Sequence, residues 1–302
     1  MPESLIFDIK RYAINDGPGI RVVVFFKGCN LHCAWCHNPE GISGKMEKMY
    51  TQAKCIRCGS CVEACPEKAI SLTAEGIVTY PELCQLCGKC AEVCPSAAIV
   101  MSGKKMEVDE IMDIIEKERI FFDQSGGGVT FSGGEPLLHK ELLIALLDEC
   151  GNRGIHRAVD TAGDVKSDTI LEVAARTDLF LFDLKLMNPV LHHQWTNAGN
   201  ELILHNLKAI AETGADIIIR IPLMGGLNDT EENIRQTAEF IAGLSGKVKE
   251  VHLLPYHNIA RHKYAKLGRE DGFEKLKEPD QISQLSAITI FAEYGIIASI
   301  GG

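Results

Sequence analysis

Cys29-Asn30-Leu31-His32-Cys33-Ala34-Trp35-Cys36 sets three cysteines at spacing C-x3-C-x2-C, directly after the apolar run 22–26 and Gly28. A [4Fe–4S] cluster is normally held by four cysteine thiolates. Three thiolates hold three irons and leave the fourth without a protein ligand. An open coordination position is what a catalytic metal site needs and a structural one avoids. The competing readings are a zinc site, which favours paired C-x2-C units, and half of a closed two-cluster module, which favours C-x2-C-x2-C.

Length and composition narrow the setting. A chain of 302 residues has room for one large α/β unit or for two domains. Its 46% hydrophobic and 24% charged content is ordinary for a globular protein. No apolar run reaches the length of a membrane span. The first residues lack the basic start and apolar core of a signal peptide, so a cytoplasmic location with no membrane role is expected. A net charge of −10 argues against nucleic-acid binding, which needs a basic footprint.

Twelve cysteines in such a chain point to metal sites or catalysis, because disulfides are rare in that compartment. Eleven fall in three tight groups between Cys29 and Cys94. The twelfth, Cys150, lies at helical spacing from Leu142, Leu143 and Leu146 and reads as a small core residue.

Two of the three groups form an internal repeat. Cys55-x2-Cys58-x2-Cys61-x3-Cys65-Pro66 recurs as Cys84-x2-Cys87-x2-Cys90-x3-Cys94-Pro95, and each copy runs on to an Ala-Ile pair. This spacing matches the bacterial two-cluster ferredoxin pattern, in which the fourth cysteine crosses to the other cluster. Cys55, Cys58, Cys61 and Cys94 are expected to hold one [4Fe–4S] cluster. Cys84, Cys87, Cys90 and Cys65 are expected to hold the other. A module this small has little core, so its clusters would supply much of its folding free energy. The linkers fall at 45–54 and 102–105. The insert is therefore residues 45–103, and residues 1–44 with 104–302 form the rest.

Outside the insert, strand and helix patterns alternate. Strands are expected at 22–26, 128–132, 156–160, 179–185, 216–222 and 248–256. Helices are expected over 108–115, 142–150, 168–176, parts of 189–214, 231–242 and 280–294, with a last extended piece at 295–300. Residues 4–21 read as a lead-in and a glycine–proline turn. Six βα units predict a parallel sheet covered by helices. A closed barrel has eight, so the expected fold is a partial (β/α)6 TIM-like barrel carrying the ferredoxin-like insert. A doubly wound open sheet is the runner-up.

In parallel α/β folds the active site lies at the C-terminal ends of the strands. Here those ends carry the cysteine loop, Ser132-Gly133-Gly134-Glu135-Pro136, Asp160-Thr161, Asp183 with Lys185, Arg220 and His257. Each alone has a bland explanation: a helix cap, a surface ion pair, a loop histidine. Six units sending polar groups to one rim favour a site. Gly133 and Gly134 suit close backbone approach to a ligand. Glu135 suits an ammonium group, and Asp160 and Asp183 suit a cation through hard oxygen ligands.

The C-x3-C-x2-C loop, with Trp35 before its third cysteine, resembles the signature of radical S-adenosylmethionine (SAM) enzymes. Asp16-Gly-Pro-Gly-Ile-Arg21, Cys36-His-Asn38, Thr130-Phe-Ser-Gly-Gly-Glu-Pro136, Asp183-Leu-Lys185 and Leu254-Pro-Tyr-His257 together resemble the glycyl-radical-enzyme activating enzymes. Pyruvate formate-lyase activase, a member, has no insert. The two-cluster insert resembles that of the activases for choline trimethylamine-lyase, glycerol dehydratase, hydroxyphenylacetate decarboxylase and isethionate sulfite-lyase.

The resemblance implies an oxidoreductase with three [4Fe–4S] clusters and SAM. Cys29, Cys33 and Cys36 would hold the cluster that cleaves SAM, and Trp35 would pack near the adenine. Gly133, Gly134 and Glu135 would contact the methionine amino group. Arg220 and His257 would be SAM contacts. Asp160, Thr161 and Asp183 would form a monovalent-cation site, with Lys185 in the same Asp-x-Lys motif. Asp16 would lie in the loop receiving the substrate peptide. His37 and Asn38 fit the pattern with no separate chemistry.

The implied reaction yields methionine and 5′-deoxyadenosine and takes a hydrogen from a glycine Cα of a partner glycyl radical enzyme. The insert would relay electrons from a reduced ferredoxin or flavodoxin, or else support docking. The alternatives are a radical SAM enzyme acting on a small molecule and a non-catalytic electron carrier.

Overall fold

The computed structural model describes residues 4–244, 247–269 and 275–301. The chain opens with β1 (Leu5–Ala13) and β2 (Arg21–Phe26). A segment with its own small elements follows: β3 (Glu47–Tyr50), α1 (Ser60–Glu63), β4 (Ile70–Thr73), β5 (Gly76–Thr79), α2 (Lys89–Glu92) and β6 (Ile99–Ser102). After β7 (Lys104–Lys105) come α3 (Val108–Glu116), α4 (Arg119–Ser125), β8 (Gly128–Gly133), α5 (Lys140–Asn152), β9 (His156–Thr161), α6 (Ser167–Ala174) and β10 (Leu179–Asp183). The rest is α7 (Pro189–Thr196), α8 (Glu201–Thr213), β11 (Asp216–Leu223), α9 (Glu231–Ala242), β12 (Lys247–Pro255), α10 (Arg261–Lys266), α11 (Gln281–Glu293) and β13 (Ala298–Ile300).

One nine-stranded sheet runs in the order β13-β12-β11-β10-β9-β8-β2-β1-β7. All pairings from β2 to β13 are parallel. The order is sequential throughout this parallel core. A doubly wound sheet needs a reversal of order, and none occurs, so the runner-up architecture is excluded. Two features depart from the expected six units. The piece at 295–300 becomes β13, a seventh parallel strand. The lead-in is the nine-residue strand β1, antiparallel to β2. Helix α4, between α3 and β8, was not expected either.

Strand periodicity divides the sheet into two faces. Val22, Val24, Phe26, Val129, Phe131, Phe180, Phe182, Ile217 and Ile219 face the helices, where Ile111, Leu143, Leu146, Ile170, Leu207 and Phe291 meet them in one core. Truncating such a buried Leu or Ile costs about 2–5 kcal/mol. On the other face Val23 and Phe25 of β2 are buried, and Ala158, Leu179, Leu181 and Ile218 form a small apolar patch. Toward the C-terminal ends the same face carries Ser132, Asp160, Asp183 and Arg220; Asp183 pairs with Arg220, while Asp160 pairs with Leu181, two residues before Asp183. Local signals fix the helix starts. Glu107 and Glu110 form a reciprocal cap on α3, and Thr230 and Asp280 accept from Asn233 N and Ser283 N on α9 and α11.

Residues 47–102 fold as two antiparallel pairs, β3 with β6 and β4 with β5. The sequence repeat is also a backbone repeat. Gly59 and Gly88 adopt φ 83° and 80° before α1 and α2, Arg57 and Leu86 adopt 58° and 55°, and Lys68 and Ala97 adopt 51° and 49°. Both ends of this segment gather on Lys27, which is fully buried. Its Nζ donates to Glu40 O (2.5 Å) and Glu47 Oε2 (2.7 Å). Arg269 binds the same Glu47 carboxylate, and a Cβ at Gly103 would lie 2.8 Å from Lys27 Cδ.

Candidate active site

The C-terminal ends of the strands surround a cavity of about 360 Å3, a size typical of small-molecule sites. Its wall includes Cys29, Cys33 and Cys36 together with Asp160, Asp183, Lys185 and Arg220. The cysteine loop is pinned through its backbone. Gly28 N and Cys29 N donate to Gly41 O (2.7 Å) and Ile42 O (3.0 Å), while His32 N and Ala34 N donate to Thr196 O and Trp195 O at the end of α7. The loop therefore needs no regular structure to be rigid. Trp35 is buried against Leu186, Met224, Tyr256 and Tyr264 and faces the cavity.

Gly133 and Gly134 line the cavity, and the structure gives their steric reason. A Cβ on Gly134 would lie 2.2 Å from Gly28 O and 2.4 Å from Gly41 O. Gly134 N and Glu135 N instead donate to Phe26 O and Gly28 O, both at 2.8 Å. The close approach is thus to the cysteine loop itself. Glu135 is placed differently from expectation. Its carboxylate is fully buried and accepts from Thr161 Oγ1 (2.8 Å), Leu137 N (3.1 Å) and Ala162 N (3.0 Å). It is absent from the cavity wall. Burial pushes it up to about 7 against those three donors. Glu135 braces the end of β9 and offers nothing to an ammonium group in this arrangement.

The charged groups form two pairs. Lys185 Nζ donates to Asp183 Oδ2 at 2.8 Å. Burial works against the Lys185 cation, but Asp183 and the neighbouring thiols hold its pKa above the usual lysine range. Arg220 Nη1 lies 3.3 Å from Asp160 Oδ2 and 3.8 Å from Asp16 Oδ1. Neither Arg220 Nε nor Nη1 has a hydrogen-bond partner, although both are buried. Asp160 also accepts from Ser132 Oγ (2.7 Å). Burial pushes its carboxyl up to about 6, and Arg220 opposes that rise. Thr161 directs its hydroxyl to Glu135, away from the two aspartates.

Asp16 reaches Arg220 from the turn before β2. Thr130 Oγ1 donates to Asp16 O (2.6 Å) and accepts from Arg21 Nε (2.7 Å). His257 lines the cavity with its ring 4.5 Å from that of His37. Asn38 Oδ1 accepts from Lys263 Nζ at 2.9 Å. Ser132 and Tyr256, quoted from the sequence within motifs but given no role there, also line the cavity, as does Met224, which carries no signal apart from the fold.

Burial raises the pKa of all three rim thiols, that of Cys36 to about 12, while Lys185 pulls Cys33 and Cys36 back. Thiols bind metal as thiolates, so binding here releases protons. The insert cysteines gather in two hollows. One is lined by Cys65, Cys84, Cys87 and Cys90, the other by Cys55, Cys58, Cys61 and Cys94. Each takes three cysteines from one repeat and the fourth from the other. Among the described residues no three Cys, His, Asp or Glu side chains converge on a single-ion position. The all-thiol donor set of each hollow suits iron–sulfur.

Comparison with known proteins agrees with this geometry. Residues 23–241 match the Radical SAM superfamily. The chain is 40% identical over 301 residues to the trans-4-hydroxy-L-proline dehydratase activating enzyme of Clostridioides difficile, covering 99% of each chain. It is 39% identical to the choline trimethylamine-lyase activating enzyme of Oleidesulfovibrio alaskensis, covering 89% of this chain and 88% of that one. A crystal structure of a domain of a pyruvate-formate lyase-activating enzyme from Bacteroides vulgatus aligns with a TM-score of 0.51 at 43% identity, over 58% of this chain and 99% of that domain.

Proposed function

The chain belongs to the radical SAM superfamily and, within it, to the activating enzymes of glycyl radical enzymes, and on that premise we propose how its residues divide the work. Cys29, Cys33 and Cys36 would hold a [4Fe–4S] cluster with one position left open for SAM. When bound, the reduced cluster would supply one electron and SAM the sulfonium, so that SAM ends as methionine and 5′-deoxyadenosine, the latter carrying a hydrogen taken from a glycine Cα of the partner.

The protein's part is to orient and to shield. Arg220, ion-paired with Asp160 but with buried Nε and Nη1 that make no hydrogen bond, binds the SAM carboxylate. Trp35 packs near the adenine, and His257 closes the side of the cavity opposite Gly133 and Gly134. Asp160 and Asp183 hold a monovalent cation between their like charges, with Thr161 positioned through Glu135 and Lys185 orienting Asp183. The turn at Asp16 receives the glycine-bearing loop. The rest of the sheet acts as a partial barrel, and residues 45–103 act as a ferredoxin-like insert with two further clusters that relay electrons from a ferredoxin or flavodoxin.

The observation that carries this reading is the cavity that brings together three thiols and an arginine whose buried Nε and Nη1 make no hydrogen bond. The full-length matches to activating enzymes set aside the small-molecule alternative. The test is anaerobic incubation of the reduced protein with SAM and each co-encoded glycyl radical enzyme. A glycine-centred EPR doublet is expected, and SAM cleavage without a doublet from any candidate overturns the reading.

A further inference from the structure

The two hollows of the insert are sequence repeats, but their places in the molecule are not equivalent. The β3–β6 ladder is anchored to the sheet at the end where Glu47 pairs with Ser102 and binds Lys27, the residue two before Cys29. Lys48 and Met101, one register step from that anchor, line the hollow of Cys65, Cys84, Cys87 and Cys90. Tyr50 and Ile99, two steps further, line the other. At a rise of about 3.3 Å per residue, that is roughly 7 Å farther along the ladder. Charge differs in the same sense before the first two cysteines of each repeat, while before the third the far copy has Ser60 and the near copy Lys89. The residue before the first cysteine of each repeat is Lys54 in the far copy and Leu83 in the near one, and the residue before the second cysteine is Arg57 or Leu86. Lys54 and Arg57 are exposed.

We propose that the hollow of Cys65, Cys84, Cys87 and Cys90 is the inner site, which passes electrons to the Cys29–Cys36 loop, and that the hollow of Cys55, Cys58, Cys61 and Cys94 is the outer site, where they enter. This rests on the relay reading above. Each transfer moves one electron. A low-potential one-electron carrier with an acidic surface is oxidised at the outer, basic end, and the rim site is reduced last. Basic loops speed the encounter with an acidic carrier. Lys48, half-buried beside the inner thiols, favours the more negative reduced state there, because a partly buried charge is weakly screened.

The test uses the three-cluster protein and pre-reduced flavodoxin hydroquinone, followed by freeze-quench EPR. The rim signal is identified by its change on adding SAM. In Cys87→Ala, the insert is expected to show one reduced cluster while the rim stays oxidised. In Cys58→Ala, flavodoxin is expected to reduce every remaining cluster at least tenfold more slowly. The opposite pattern overturns the order and leaves the relay standing. Rim reduction as fast in both variants as in the unaltered protein overturns the relay itself. Lys48→Gln removes no cysteine and tests the order in the intact protein. It should lower the potential of one insert cluster and slow the second kinetic phase several-fold, leaving the first phase unchanged. A slowed first phase with an unchanged second contradicts the order.

Discussion

The rim cysteines and those of residues 45–103 are the same chemical group in opposite settings. Cys33 and Cys36 lie beneath Trp35, Tyr256 and Tyr264, and burial raises their thiols, Cys36 to about 12. Cys58 is exposed, and a hydrogen bond from Ser60 pulls its thiol below the ordinary value. The rim has three thiols and a wall of charged side chains, among them Arg220, whose Nε and Nη1 make no hydrogen bond. Each insert hollow has four thiols, a mostly apolar or backbone lining and few charges. A set of four thiols is complete in itself. A set of three backed by donors that make no hydrogen bond has its remaining position prepared for a ligand.

The largest effect expected is from removing a rim thiol. Cys33→Ala should abolish SAM cleavage and lower bound iron by about one third, the two insert clusters remaining. Iron analysis beside product assay checks it, and equal iron loss from all three sites would erase the contrast between the regions. Next is Arg220→Met. Removing one partner of a buried, charge-paired group costs about 2–5 kcal/mol, so SAM binding should weaken by at least tenfold in equilibrium titration with insert spectra unchanged. Gly134→Ala forces a Cβ against two carbonyl oxygens of the cysteine loop. Overpacking of this kind costs about 1–3 kcal/mol, and rim iron should fall before insert iron.

A pH effect of comparable size comes from Glu135. Its folded carboxyl keeps a proton up to about 7, against an ordinary 4.5. Between those values the folded state holds more protons than the unfolded chain, so stability falls as pH rises, by about 3 kcal/mol at most. Asp160, raised to about 6, adds the same sign in its own window. Urea midpoints of the metal-free chain at pH 5 and 7 should show this slope, and Glu135→Gln should reduce it between pH 6 and 7. The smallest effect is from Cys150→Ala. Cys150 is fully buried on α5 against Met112. The loss should be about 1 kcal/mol, with iron content and SAM cleavage unchanged.

Much of this was legible in the sequence, for physical reasons. Strand periodicity announced the parallel core, because buried strands read as apolar runs bounded by glycine and polar ends. The cysteine spacings announced the clustering, and the crossed hollows group the cysteines as the repeat pattern implied. Asp160, Asp183, Lys185, Arg220 and His257 do meet in one cavity. The misses share a cause. Glu135 lies in a motif whose position suggests a ligand, and only the backbone donors of Leu137 and Ala162 reveal that its carboxylate faces inward. Lys27 looks like an ordinary lysine after a strand, and only tertiary structure makes it the hub of Glu40, Glu47 and Arg269. β1 went unrecognised because most of its outer positions are polar and half exposed, as suits a strand near an edge.

The most direct test is to measure methionine, 5′-deoxyadenosine and the glycyl EPR doublet together in one anaerobic reaction of the dithionite-reduced protein with SAM and its co-encoded glycyl radical enzyme. Equal yields of the two small products, a doublet that requires the partner, and loss of all three signals in Cys33→Ala but not in Cys150→Ala are the predicted result. A doublet or continued SAM cleavage in Cys33→Ala would contradict the account.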